Sequence, residues 1–223
     1  MLAVVIPAHD EEALLPDCLR SVQAALRHPA LEGEPAAVFV ALDACTDGSA
    51  AVCAAHGART VSLASRNVGA ARAAGCAAAL AAGARWIACT DADTTVAPDW
   101  LAAQLALGAD VVCGTIGVAG WSSHGDLGEA LRHQFETTYR DADGHRHVHG
   151  ANLGFSAAAY GRAGGFQDRA AEEDVALVAA FAEAGLSIAW SAGPRVCTSA
   201  RGQSRAEGGF ASAILRATAV LRS

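Results

Sequence analysis

The chain has 223 residues, enough for one large domain, or one domain with an appended flap, at ~150 residues per domain. Apolar residues make up 52% and charged residues 17%, with a mean hydropathy of +0.26, which excludes a disordered chain. Sixteen Lys and Arg against 23 Asp and Glu leave a net charge of -7, so no broad basic surface is available to a phosphate backbone and nucleic acid is not an expected partner.

Through the first half, short β-rich runs at 2–7, 37–42, 60–63, 86–90 and 110–117 alternate with alanine-rich helical runs at 13–27, 49–56, 68–82 and 98–107. That alternation predicts an α/β fold, a mostly parallel sheet flanked by helices. After about residue 120 it degrades into a helix at 127–140, a histidine-rich segment, a strand at 151–155, a turn at Gly164 and Gly165, a helix at 174–184 and a strand at 187–191. A Gly/Ser/Arg loop at 199–209 and a helix at 210–221 with an apolar face complete the chain, that face serving core packing, a homodimer contact or peripheral membrane docking. No run reaches the ~20 uninterrupted apolar residues of a membrane span, and the N-terminus has no signal-peptide pattern, so a cytoplasmic protein is expected. The seven cysteines are scattered and never spaced as C-x-x-C, which predicts reduced, mostly buried thiols.

In an open α/β sheet, ligands bind beyond the carboxyl ends of the strands, so the polar residues there are the site candidates. The first strand runs into Pro7, Ala8, His9, Asp10, Glu11 and Glu12, with neither the glycines of a dinucleotide turn nor those of a phosphate loop. Asp43 ends the second strand, placed to accept a nucleobase N–H, while Asp47 suits the N-cap of the next helix. Asp91 and Asp93 leave the fourth strand two residues apart, a plausible seat for a hard divalent ion that also binds substrate phosphates. Glu172, Glu173 and Asp174 open a helix, where the macrodipole favours acids and where one carboxylate can also act as a general base. Arg201 and Arg205 place two guanidinium groups in a loop suited to a diphosphate. His145, His147 and His149 alternate, so an extended segment points them to one face; a transition-metal site is the sharper reading, and a polar loop with His149 lining the site beside Gly150, Ala151 and Asn152 the preferred one. Trp86 and Trp190 read as core, and Trp121 as a loop residue able to stack on a sugar.

Taken in order, V-V-I-P-A-H-D-E-E, A-L-D-A-C-T-D-G-S, R-N-V-G-A-A-R-A-A-G, D-A-D, G-A-N-L-G-F, G-G-F, E-E-D and T-S-A-R resemble a family 2 glycosyltransferase of the GT-A fold over nearly the whole chain. The resemblance implies a nucleoside-diphosphate sugar donor, a hydroxyl acceptor and Mg2+ or Mn2+. It implies a donor-binding half over 1–117 and an acceptor and base half over 118–223. Pro7, Ala8, His9 and Glu11 then open the nucleotide pocket, Asp43 reads the base, and Arg72 lies near base and diphosphate. Asp93 meets the metal, with Asp91 on the ribose or a bridging water. Asp174 is the base of an inverting transfer beside Glu173, His149 and Asn152 line the substrate, and Arg201 and Arg205 clamp the diphosphate. Asp10 stands where the family usually has Asn, Leu42 where it has the first Asp of a pair, and Ala73 where it has Asn. A nucleotidyltransferase fits less well, because the acidic stretch after the first strand would repel a triphosphate; a silent sugar-nucleotide binder is the other alternative.

Overall fold

The computed structural model describes residues 1–201, so Arg205 and the expected helix at 210–221 lie outside the described residues. The first strand, β1 (Leu2–Ala8), and β2 (Ala36–Asp43), β3 (Arg59–Leu63) and β4 (Trp86–Cys89) are all parallel, with β1 between β2 and β4. Beyond β4 the sheet continues through β8 (Leu153–Ser156), β6 (Val111–Gly114) and β9 (Ile188–Ser191), in the order β3-β2-β1-β4-β8-β6-β9. β8 alone runs antiparallel to its neighbours, pairing Leu153 with both Cys89 and Cys113. Its N-terminal end therefore meets the carboxyl ends of β4 and β6, and a segment from the second half of the chain arrives where the first half ends its strands.

Alternation along β1 divides the core. Leu2, Val4 and Ile6 pack with Leu15, Leu19 and Val22 of α1 (Leu15–Leu26) and with Trp100 and Leu101 of α4 (Trp100–Ala106). Ala3 and Val5 face Cys76 and Ala79 of α3 (Val68–Ala81), in one cluster with Tyr160 of α6 (Ala157–Ala163) and Leu177 and Phe181 of α7 (Glu173–Glu183). Local chemistry sets the helix starts. Pro16 opens α1, where its missing N–H is not needed; Asn67 caps α3 by accepting Ala70 N–H at 3.0 Å, and Ser156 caps α6 by accepting Ala159 N–H at 3.1 Å. The short α2 (Ser49–Ala55) has Gly48 at its N-cap instead of the expected Asp47, which lies one residue earlier and accepts Ser49 N–H at 3.0 Å.

Two expectations need correction and one helix is new. The run 110–117 is two strands, β6 and β7 (Gly117–Ala119), because β7 leaves the large sheet to join β10 (Val196–Ser199) and β5 (Thr94–Val96) in a small one of order β5-β10-β7. The strand expected from residue 151 starts at Leu153, after a single 3-10 turn at Gly150–Asn152. Helix α6, ended by Gly164 at φ +81°, was not foreseen. The expected helix at 127–140 is α5 (Gly128–Thr138). All seven cysteines are free, and among the described residues no helix is long and apolar enough to cross a membrane.

Candidate active site

The loops after β1 and β2 are stitched together by carboxylates accepting backbone N–H groups. Asp10, itself at φ +52°, takes Thr46 N–H at 2.6 Å, and Glu12 takes Gly48 N–H at 2.6 Å while giving its own N–H to Asp47 at 2.8 Å. The Thr46 bond, ahead of the opposing effect of desolvation, holds the Asp10 carboxyl below its ordinary range. Asp10 and Asp47 with Cys45 form a group of three ligating side chains within 4.8 Å, but both carboxylates already serve the loops. Ala8 carbonyl accepts the Cys45 thiol at 3.3 Å, and His9 Nδ1 donates to the Asp43 carbonyl at 2.6 Å. Pro7 pairs with Ala41 on β2, so the expected pocket opening sits at the strand ends.

Asp43 is buried, and its two oxygens accept Ser65, Arg66 and Asn67 N–H at 2.7, 2.9 and 2.7 Å. A carboxylate offers roughly four lone-pair sites, so three are committed to folding the loop into α3 and about one is left for a base.

At the centre lies Arg72, on α3 and only 3% exposed. Its Nε donates to Glu173 at 3.0 Å, one terminal nitrogen to Gly150 carbonyl at 2.9 Å and the other to Asp91 at 2.6 Å. Burial by itself would lower the guanidinium pKa, but Asp91 and Glu173 raise it, so the charge is kept. Burial pushes the Glu173 carboxyl up against the pull of Arg72. Asp174, next in α7, accepts Gly150 N–H at 2.6 Å on one oxygen and Val175 N–H at 2.8 Å on the other. The D-A-D and E-E-D segments, some 80 residues apart, thus meet around one arginine and one glycine.

A second arginine gathers the other acids. Arg201, just past β10, forms a two-pronged pair with buried Glu11 at 2.6 and 2.7 Å and reaches Asp93 at 3.0 Å. Burial, then Asp91, raises the Asp93 carboxyl to about 6, with Arg201 opposing. Asp91 and Asp93 offer hard oxygen donors of the kind that suit Mg2+ or Mn2+, and a cation there would favour the charged form of Asp93 that burial disfavours. The pairing of Glu11 with Arg201 was not foreseen; 190 residues separate the two, and neither segment names the other.

Asn152 and the three histidines are held by internal contacts. Asn152, expected to touch substrate, is fully buried: Trp100 indole donates to it at 2.8 Å, and its amide donates to Thr115 and Pro194 carbonyls at 2.7 and 2.9 Å. It is a structural post. The three histidines do lie on one side, but as a stack, with ring centroids 5.5 Å apart for His145 and His147 and 5.9 Å for His147 and His149. Among the described residues the only group of three side chains placed to share one ion is Asp10, Cys45 and Asp47, so the histidines form no such cluster. Trp121 gives its indole N–H to Val118 carbonyl at 3.2 Å and packs on Phe135.

Among curated proteins, no sequence matches the chain. Solved structures share its GT-A fold. S. aureus TarS 1-349 in complex with UDP superposes with a TM-score of 0.67 at 13% identity, covering 90% of this chain and 61% of its own. Glucosyl-3-phosphoglycerate synthase from Mycobacterium tuberculosis, in complex with Mn2+, UDP and glucosyl-3-phosphoglycerate, gives 0.63 at 20% identity over 100% of this chain and 79% of its own. The mannosyltransferase PcManGT from Pyrobaculum calidifontis, in complex with GDP-Man and Mn2+, gives 0.65 at 18% over 100% of this chain and 64% of its own. The chain thus spans less than two thirds of the TarS and PcManGT chains. Residues 3–162, which carry β1 through β8 and both Asp91 and Asp93, match the model of glycosyl transferase family 2, and the chain belongs to that family.

Proposed function

We propose that the chain transfers a hexose from a nucleoside-diphosphate sugar to an acceptor hydroxyl, with a divalent ion at Asp93 and inversion at the anomeric carbon. The observation that carries the reading is the convergence on Arg72, which binds Asp91 of D-A-D and Glu173 of E-E-D from 3% exposure. The UDP- and GDP-linked ligands and Mn2+ of the structural relatives support a donor and ion of these classes. A bound Mg2+ or Mn2+ would act as Lewis acid on the diphosphate, where negative charge develops as the glycosidic bond breaks. Asp43 and the loop it folds face the base, and residues 1–117 serve the donor.

Asp174 is the general base: Gly150 N–H fixes one of its oxygens, and the carboxylate takes the acceptor proton as the new bond forms. Glu173 and Arg72 set its approach and keep the helix start in place. Arg201 moves from Glu11 and Asp93 to the diphosphate when the donor enters, exchanging carboxylates for phosphate oxygens of the same charge.

Thermal melts with UDP, GDP, TDP and ADP, each with and without Mn2+ or Mg2+, test the donor site, since a ligand selective for the native state raises Tm. One nucleotide is expected to stabilise more than the others, and more with metal. Release of that nucleotide from its sugar conjugate, followed with a panel of hydroxyl acceptors, is expected to fall by about a hundred- to ten-thousand-fold in Asp174→Asn. Equal turnover removes Asp174 as base; binding with no turnover in either protein leaves a silent sugar-nucleotide binder.

A further inference from the structure

Gly150 gives its N–H to Asp174 and its carbonyl to Arg72, so one residue orients both groups around which the site converges. It must be glycine: a Cβ there would lie 2.3 Å from a terminal nitrogen of Arg72. A glycine cannot hold itself in place, and its neighbours do so from both sides. On one side, the fully buried Asn152 is pinned to Trp100, Thr115 and Pro194. On the other, His149 Nε2 lies 2.9 Å from the Tyr139 hydroxyl, and that oxygen accepts Ile116 N–H at 3.0 Å. Both anchors therefore hang from adjacent residues, Thr115 and Ile116, in the break between β6 and β7.

The direction of the Tyr139 to His149 bond follows from the available protons. The phenol carries one hydrogen, its oxygen already accepts Ile116 N–H, and no other acceptor for that hydrogen exists among the described residues. Burial lowers the His149 pKa to about 4, with His147 and His145 adding to the effect, so the ring is neutral and accepts at Nε2. The Tyr139 ring is itself gripped, stacked on Phe135 at 4.7 Å and on His147 at 4.3 Å. Its hydroxyl is thus a fixed point from which His149, and then Gly150, is hung.

We infer that Tyr139 is a positioning residue for the transfer step, its hydroxyl anchoring the His149 ring and thereby fixing the Gly150 backbone that orients Asp174 and Arg72. The role in transfer rests on the sugar-transfer reading above; the clamp itself does not. Tyr139 touches neither substrate nor reacting atoms and acts only through His149 and Gly150.

Tyr139→Phe deletes the hydroxyl and keeps the stacked ring, so it is the variant of choice. Hydrogen exchange of the peptide containing Gly150, followed by mass spectrometry, is expected to quicken by about fivefold or more, with β1 and β2 amides unchanged. With UDP-glucose, UDP-GlcNAc and GDP-mannose as donors in Mn2+, kcat for the donor that is used is expected to fall by roughly tenfold to a hundredfold with donor KM unchanged. In the exchange measurement, His149→Gln, whose amide oxygen can still accept the Tyr139 hydroxyl, is expected to keep Gly150 near its wild-type rate, whereas His149→Leu quickens it as Tyr139→Phe does. Unchanged exchange at Gly150, or a rate loss that comes with faster exchange everywhere and a fallen Tm, overturns the proposal. If wild type uses no donor, the sugar-transfer reading fails while the exchange measurement still decides the clamp. If Asp174→Asn abolishes turnover and Tyr139→Phe does not alter kcat, the reading stands and the positioning role is lost.

Discussion

Asp93 sits where burial first, then Asp91 and Glu11, resist a further negative charge, and its carboxyl holds its proton up to about 6 instead of 3.8. The folded state therefore binds one more proton than the unfolded chain between those values, and stability falls as pH rises through that window. The loss is about 2 to 3 kcal/mol in the metal-free protein. Asp93→Asn is expected to flatten this part of a urea-melt pH series and to abolish stabilisation by Mn2+; an unchanged pH series would place the strain elsewhere. The carboxylates themselves were legible in the sequence as acids directly after buried strands, although Asp10, Glu12 and Asp43 also serve the loops by accepting backbone N–H groups. Their partners were not: Asn152 in G-A-N looks like a substrate ligand by type and place, and only its three internal hydrogen bonds reveal a post. Tyr139 carries no sequence signal at all, since its role depends on Ile116 N–H, a backbone group that any residue there would supply.

At the scale of elements, the long alternations in the first half were readable and the three-residue strands were not, because so short a run shows no period. At Gly114 a Cβ would fall 2.1 Å from the Asn152 amide nitrogen, so the last residue of β6 must be glycine for the post to stand beside it. Gly114→Ala is expected to destabilise the fold by about 2 to 4 kcal/mol, combining overpacking with loss of buried hydrogen bonds. A urea midpoint within error of wild type would show that Asn152 has room to retreat. Gly69 tells the same story for α3, whose first turn approaches the Gln167 carbonyl so closely that a Cβ would lie 2.4 Å away. That approach brings the segment before α7 onto the start of the helix that carries Arg72, a contact no local pattern predicts.

Across the whole molecule, motifs spread over 190 residues share one end of the sheet because parallel strands all finish on the same side and antiparallel β8 begins there. Order along the chain was therefore enough to foresee which segments meet, though not which side chains pair. The longest link is Arg201, which ties the end of β10 to Glu11 after β1 and to Asp93 after β4. Its guanidinium supplies positive charge where the proposed divalent ion would supply it, so the two compete for Asp93 in the absence of a diphosphate. Arg201→Gln removes the competitor and leaves Glu11 buried without its partner. The variant is expected to lose about 3 kcal/mol of stability without metal and to bind Mn2+ alone several-fold more tightly, as read by the paramagnetic signal of free Mn2+. Nucleoside diphosphate added to the Mn2+-loaded variant should bind more weakly than to wild type, because the arginine that would turn to the phosphates is gone. Weaker binding of Mn2+ alone to Arg201→Gln would mean that Arg201 orders Asp93 for the ion rather than standing in for it.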